Sequence, residues 1–443
     1  MQKVVHSQKI LFERIKKIYN DNFHNKSNDN FYFCSYNFSV GYSLLKFYQN
    51  KLQFYLIFKF FIKEIVSLFK INNYKILGKL DNENFKKAVV TWGNNSNISK
   101  DFFYDKYFNQ KTSEHDDILW LVIFNGDENI LKGKQIQNVI FIIEEKTNFF
   151  EKVKFLFRLF INFFCKETKN MENFLFYFSW HNAFKIKLEN IFNKYLNINL
   201  QLLLLPFEGQ PFQFRAIQIA KKATNNRVMV KGYIHSVPSY PSHLLYKKFY
   251  PDHLIVSSND QFNFFKAYIL PQSHKIQLLP SARFYYQEEK DMYNKIFLPI
   301  EFYSESLILK KITYLLKNFL ANNDFSKYEV KNHPACYNSV KHIKLSNKIN
   351  EIIKNNKNKV KTNLNKNSIF IGSTGSIVEA LEVGVEVFHI TEDSTLEVYS
   401  DFIWDNVKVS EIEENLYKYS LTNKNKTLIF QKNKEIFNEY KKS

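Results

Sequence analysis

Two small groups of residues in this chain have the types and spacing that handle phosphate. The first is the turn Gly372-Ser373-Thr374-Gly375-Ser376, inside the segment SIFIGSTGSIVEALEVGVEVFHI from Ser368 to Ile390. Its side chains are small, it carries three hydroxyls, and a helix begins there, so the unsatisfied N–H groups of the first helical turn make a seat for an anion. Glu379 follows in that first turn, where a carboxylate suits the positive helix end. The second group is Lys331-Asn332-His333-Pro334, at the end of another strand-like run. Pro334 keeps the residue before it out of helix. That fixes the His333 imidazole, which could donate to a phosphate and stabilise a departing nucleotide. Together the two groups suggest a nucleotide-sugar site.

Three further candidates each follow a strand-like run. Leu205-Pro206-Phe207-Glu208-Gly209-Gln210-Pro211-Phe212 ends four leucines in an acid, a glycine and a proline-led helix start. Glu208 is either a general base that takes a proton from an acceptor hydroxyl or a cap near the positive end of that helix. In Lys231-Gly232-Tyr233-Ile234-His235-Ser236, His235 is either a phosphate- or carboxylate-binding group or a hydrogen-bonded structural residue. In Leu279-Pro280-Ser281-Ala282-Arg283, the arginine either holds a carboxylate or phosphate bidentately or forms a surface ion pair. Asp393 and Glu397 are candidates for ribose or base contacts, or plain loop residues. The pairs Asp116-Asp117 and Glu144-Glu145 are isolated, so no metal centre is expected. Neither a Walker-type phosphate loop nor a Gly-x-Ser-x-Gly elbow occurs.

The elements that must position these residues alternate between strand and helix. Strand candidates are residues 88–92, 118–124, 139–143, 174–179, 202–205, 227–230, 254–256 and 276–279, with helices expected at 149–164, 212–222 and 260–268. A polar stretch at 286–294 marks a domain boundary. Beyond it come strands at 296–300, 328–331, 368–371 and 385–390, helices at 304–319 and 376–383, and closing helices at 410–419 and 427–442. This alternation predicts α/β domains with largely parallel sheets, whose ligands sit beyond the carboxyl ends of the strands.

The 443 residues are enough for two or three domains. A net charge of +19 is dispersed along the chain without a basic block or a nucleic-acid-binding signature. It fits an anionic substrate and an anionic membrane better than nucleic acid. Cys34, Cys165 and Cys336 are odd in number and widely spaced, which fits a reducing compartment. No uncharged run reaches the ~20 residues that span a bilayer. The nearest, Gln53 to Ile71, is interrupted by Lys59, Lys63, Glu64 and Lys70, and reads as a buried or half-buried helix ahead of an interfacial one.

The pairing of His333-Pro334 with Ser373-Thr374-Gly375-Ser376 is similar to the paired His-Pro and Ser/Thr motifs of bacterial sialyltransferases and Kdo transferases. The C-terminal half resembles the donor-binding domain of GT-B glycosyltransferases. Phe207 to Phe212, Gly232 to Ser236, Pro251-Asp252 and Ala282-Arg283-Phe284 resemble segments of a family of bacterial surface-carbohydrate biosynthesis proteins. The resemblance implies two Rossmann-like domains facing a central cleft. Residues 1–75 would form a mostly helical extension, 76–288 an acceptor domain, 289–425 a nucleotide-sugar domain and 426–443 a C-terminal helix.

It also implies an inverting transfer without a cofactor. Glu208 would be the base and His333 the leaving-group stabiliser. Lys331, Pro334, Gly372 to Ser376 and Glu379 would hold a CMP-linked donor, with His235 and Arg283 at the substrate. The sialyltransferases carry an acidic pair with glycine in the base motif, where this chain has Glu208-Gly209. The expected product is lipopolysaccharide, capsule or a related glycan, made in the cytoplasm or at the inner face of the membrane on an oligosaccharide or lipid-linked acceptor. Alternatives are a UDP-sugar or CDP-polyol donor, or a non-catalytic scaffold in glycan assembly.

Overall fold

The computed structural model describes residues 1–23, 58, 62, 64–78, 80, 84–164, 177–237, 239–240, 250–270, 274–283, 292–320, 327–333, 336, 339–355, 366–422 and 436–442. Pro334 and Phe284 lie outside these residues, as does most of the expected boundary at 286–294.

The strands that open the fold are β1 (Asn73–Leu77), β2 (Lys87–Gly93), the short hairpin β3 (Tyr104–Asp105) and β4 (Gln110–Lys111), β5 (Ile118–Phe124) and β6 (Val139–Glu145). They are followed by β7 (Leu202–Pro206), β8 (Met229–Tyr233), β9 (His253–Val256) and β10 (Lys275–Leu278). Apart from the β3/β4 hairpin they build one sheet in the order β1-β6-β5-β2-β7-β8-β9-β10, parallel throughout except for β1. The chain moves outward from β2 through β5 to β6, then returns to the other side of β2 to lay down β7. A topological switch point therefore lies between β2 and β7.

β5, ILWLVIF, shows why the sheet is internal: every residue is buried. Leu119, Leu121 and Ile123 face one core, while Ile118, Trp120, Val122 and Phe124 face another. A strand covered on both faces needs a continuous apolar run rather than alternation. The helices α1 (Gln2–Phe23), α2 (Phe149–Phe164), α3 (Trp180–Tyr195), α4 (Pro211–Ala223) and α5 (Asn259–Phe264) accompany this half.

The second sheet holds β11 (Lys295–Phe297), β12 (Glu329–Lys331), β13 (Asn367–Ile371), β14 (Glu386–Ile390), β15 (Val407–Glu413) and β16 (Leu416–Leu421), in the order β12-β11-β13-β14-β16-β15. β11 to β14 are parallel and β15/β16 is an antiparallel hairpin. Its switch point lies between β11 and β13. Helices α6 (Glu305–Asn318), α7 (Val340–Asn355), α8 (Ser376–Glu382) and α9 (Ser394–Glu397) belong to this half, and α10 (Ile436–Tyr440) ends the described chain.

The two halves share a core. One apolar cluster runs from Ala88, Val90 and Leu121 in the first sheet to Phe370 and Val387 in the second and Val378 in α8. The first helix sits in the seam. The Gln8 side-chain amide donates to Val398 O at 3.0 Å, and Tyr240 Oη donates to Gln8 O at 3.0 Å. Phe12 meets Tyr240, Phe264 and Phe402 edge-on. The last helix returns to the first sheet, where Phe437 stacks on Trp120 and Tyr440 Oη donates to Pro280 O at 2.7 Å.

Several expectations are corrected. Residues 410–419 are not a helix but parts of β15 and β16, whose VKVSEIE and LYKYSL alternate at period two around Asn415, φ +64°. Residues 177–179 are not strand: Ser179 caps α3, its hydroxyl accepting from Asn182 N. Of the closing helix, the described part is helical at 436–440. β8 extends to Tyr233, so Lys231 lies inside the strand rather than after it.

Candidate functional site

Glu208 stands at the first switch point, two residues past the last residue of β7. The turn leading to it is held by Gln213 of α4. Gln213 Oε1 accepts from the backbone N–H groups of Glu208 and Gln210, both at 3.0 Å, and Gln213 Nε2 donates to Pro206 O at 2.7 Å. Because Gln210 and Gln213 manage the helix start, the Glu208 carboxylate is not its cap. It points sideways instead, toward the end of β8. Its Oε1 is 3.1 Å from His235 Nε2, and its Oε2 accepts from Gln210 Nε2 at 2.7 Å. The Glu208 side chain keeps 29% of its surface exposed while that of His235 keeps 2%.

Burial pushes the His235 pKa down; the Glu208 charge opposes this, and Arg283 and Lys106 reinforce it. A carboxylate only accepts, so the neutral imidazole donates its Nε2–H to Glu208. His235 Nδ1 is buried without a hydrogen-bond partner.

Arg283 follows β10 and reaches back, Nη1 donating to His235 O at 3.3 Å. Its guanidinium lies 5.7 Å from the centroid of the Tyr107 ring, and that ring meets His235 edge-on at 4.6 Å. Sequence reasoning missed Lys106 and Tyr107, which the β3/β4 hairpin delivers. Asp105 pins their turn, its Oδ1 accepting from the N–H groups of Tyr107 at 2.7 Å and Phe108 at 3.1 Å. Complete burial raises the Asp105 pKa to about 6, against the pull of these hydrogen bonds. Burial, then the nearby Glu208 charge, raises the Tyr107 pKa, so the phenol stays protonated. Burial and Arg283 lower the pKa of Lys106. The site is thus one carboxylate beside a neutral imidazole, with two cations over an aromatic ring.

The second sheet turns its own carboxyl edge to the same region. His333 lies two residues past β12, and burial, His342 and then Arg283 lower its pKa. Arg283, in the segment after β10, is the smallest of these three contributions. The small-residue turn follows β13 at the second switch point. Gly372 has φ +67°, and a Cβ there would stand 2.9 Å from Pro299 Cβ. His389 Nε2 donates to Gly372 O at 2.8 Å.

The rest of the turn is packed on the loop that follows His235. Ser373 Oγ is 2.9 Å from Ser239 Oγ, and Tyr399 Oη donates to both Thr374 O and Val237 O at 2.9 Å. A Cβ on Gly375 would meet Val237 Cγ2 at 2.9 Å. The expected anion seat is therefore in contact with the first half of the chain.

The remaining candidates divide. Glu379 is half-buried in the first turn of α8. Lys331 lies in β12 and is ion-paired with Glu329, which also pairs with Lys295. Asp393 Oδ1 caps α9, accepting from Thr395 and Leu396 N–H groups, and Glu397 Oε2 accepts from Glu392 N, so both acids serve local backbone. Asp117 pairs with Lys87. Among the described residues no group of three or more His, Cys, Asp or Glu side chains could hold a metal ion.

No protein-family model matches the chain, and no curated protein matches it.

Proposed function

We propose that this protein is an inverting glycosyltransferase of GT-B architecture that transfers a CMP-activated acidic sugar to a hydroxyl of a bacterial surface glycan. The observation that carries the reading is the Glu208–His235 pair, 3.1 Å apart at a sheet switch point. It faces Arg283, and His333 of the other sheet lies within that arginine's electrostatic reach.

The acceptor hydroxyl gives its proton to Glu208. Its oxygen forms the new bond to the anomeric carbon on one face of the sugar. The bond from that carbon to the phosphate oxygen breaks on the other face, and the electron pair leaves with CMP. His235 orients the base through Nε2–H. Arg283 and Lys106 attract an acidic sugar or phosphate, and His333 donates to the departing phosphate. The acceptor is an oligosaccharide or lipid-linked glycan, met at the inner face of the cytoplasmic membrane.

A second reading, a non-catalytic scaffold, has one observation in its favour: Val237 and Ser239 pack on the turn that would seat the donor phosphate. A thermal-shift series with CMP, CDP, UDP, GDP and ADP separates the readings, since a ligand of the native state raises its melting temperature. A rise selective for CMP supports the CMP-linked donor. A rise selective for UDP or CDP replaces the donor with a UDP-sugar or CDP-polyol. No rise with any nucleotide favours the scaffold.

A further inference from the structure

One face of α2 is apolar and largely exposed. Phe149, Phe150, Val153, Phe157, Phe160, Ile161 and Phe164 are all exposed, Phe150 by 84% and Phe157 by 66%. At 100° per residue these seven fall within a sector of about 120°. The helix is nonetheless anchored, because Leu159 and Phe163 on another face are buried in the core. A second apolar stripe continues the first. Phe58, Ile62, Val66 and Phe69, spaced three or four apart in helical or turn backbone, are exposed, while Leu68 and Ile71 are buried. The stripes join where Phe69 stacks on Phe149 and Lys152 Nζ donates to Phe69 O at 2.9 Å.

A contiguous aromatic face of this kind marks an interaction surface rather than scattered exposure. Its rim identifies the partner. Lys154 and Arg158 lie one step around the helix from Phe150, Phe157 and Ile161, both exposed, and exposed Lys70 and Lys146 stand next to Phe69 and near the start of α2. Aromatic side chains bordered by lysine and arginine suit the boundary between lipid headgroups and acyl chains. No described helix is long and apolar enough to cross a bilayer, so this face would lie on a membrane rather than span it.

We infer that the α2 face, with exposed Phe58, Ile62, Val66 and Phe69 beside it, is a docking surface for an anionic lipid bilayer. The topology makes the placement useful. α2 begins just past the carboxyl end of β6, the same edge of the sheet from which Glu208 projects. β5 and β2 separate β6 from β7, a lateral distance of about 14 Å. A bilayer held by Phe149 and Phe150 would thus lie beside the sheet edge from which Glu208 projects. The link to a lipid-linked acceptor rests on the function proposed above, whereas the docking itself does not.

The test is flotation of the full chain with vesicles of phosphatidylcholine alone and of phosphatidylcholine mixed with phosphatidylglycerol. The expected result is binding to the anionic vesicles, weakened at least about tenfold in Phe150→Glu/Phe157→Glu and weakened by added salt in the wild type. Lys154→Glu/Arg158→Glu should remove the preference for anionic lipid. The melting temperature and the nucleotide response of these variants should stay those of the wild type, so a failure of docking is separate from a failure of the catalytic reading. Wild type that binds neither vesicle overturns the inference, as does undiminished binding by the Phe150→Glu/Phe157→Glu protein. A dimer in light scattering that Phe150→Glu/Phe157→Glu splits, with no vesicle binding, would assign the face to a second copy instead.

Discussion

Glu208 Oε1 and His235 Nε2 are 3.1 Å apart, although 26 residues of strand, helix and turn separate them in the chain. They meet because β7 and β8 are adjacent and parallel, with Pro206 opposite Tyr233, so each residue emerges two positions past its register partner. The sheet, not local sequence, makes the pair. The imidazole is nearly sealed and the carboxylate partly open, the arrangement expected when one residue orients and the other meets substrate.

Arg283 should be replaceable by neither alanine nor lysine. Its planar fork bonds His235 O while lying over Tyr107, which a lysine ammonium cannot reproduce. Arg283→Lys is expected to raise KM for an anionic donor about tenfold or more, with the melting temperature changed little. Steady-state kinetics at varied donor concentration check this. A KM within twofold of wild type would remove Arg283 from the binding site.

Acid should loosen the Gly372–Ser376 turn through His389. Burial lowers its pKa from 6.5 to about 4, opposed only by the hydrogen bond to Gly372 O. Nε2 donates to that carbonyl and Nδ1 faces Tyr419 Oη at 3.0 Å. Above pH 6.5 both folded and unfolded chains carry a neutral ring and its stabilisation is whole. Between 6.5 and about 4 the unfolded chain binds a proton that the folded chain refuses, so stability falls as pH falls, by roughly 3 kcal/mol in total. Unfolding of the wild type and His389→Gln across this range should show a shallower loss in the variant. Parallel curves would contradict it.

Gly372→Ala should cost about 2 kcal/mol or more in urea unfolding, from its left-handed backbone and from the approach of Pro299. Gly133 has φ +73° with nothing near its missing Cβ, so Gly133→Ala carries the backbone cost alone. The Gly372 substitution should therefore be the more damaging of the two. Equal losses would mean that Pro299 yields without cost.

The strand-turn-helix-strand segment from Asn367 to Ile390 was legible because buried runs and a hydroxyl-rich turn are local signals. The β15/β16 hairpin, expected as a helix at 410–419, has its alternation visible in VKVSEIE and LYKYSL, but charged and polar residues fill much of it. The helices Trp180–Tyr195 and Val340–Asn355 drew no expectation, since lysine and asparagine dilute their apolar spacing. Lys106 and Tyr107 could not be found locally. They sit in a polar hairpin about a hundred residues before Glu208, and only the sheet order brings them to His235. In the same way, a lone Glu-Gly after four leucines leaves the cap reading open, and only the fold shows Gln213 rather than Glu208 holding the turn.

Release of CMP from CMP-activated acidic sugars, compared between wild type and Glu208→Gln, tests the central claim most directly. Glutamine preserves the shape and the contact with His235 but cannot take a proton. The expected result is acceptor-dependent CMP release by the wild type that falls at least about 100-fold in Glu208→Gln, with an unchanged melting temperature and CMP response. Turnover by Glu208→Gln within twofold of the wild type would contradict the assignment of Glu208 as the base.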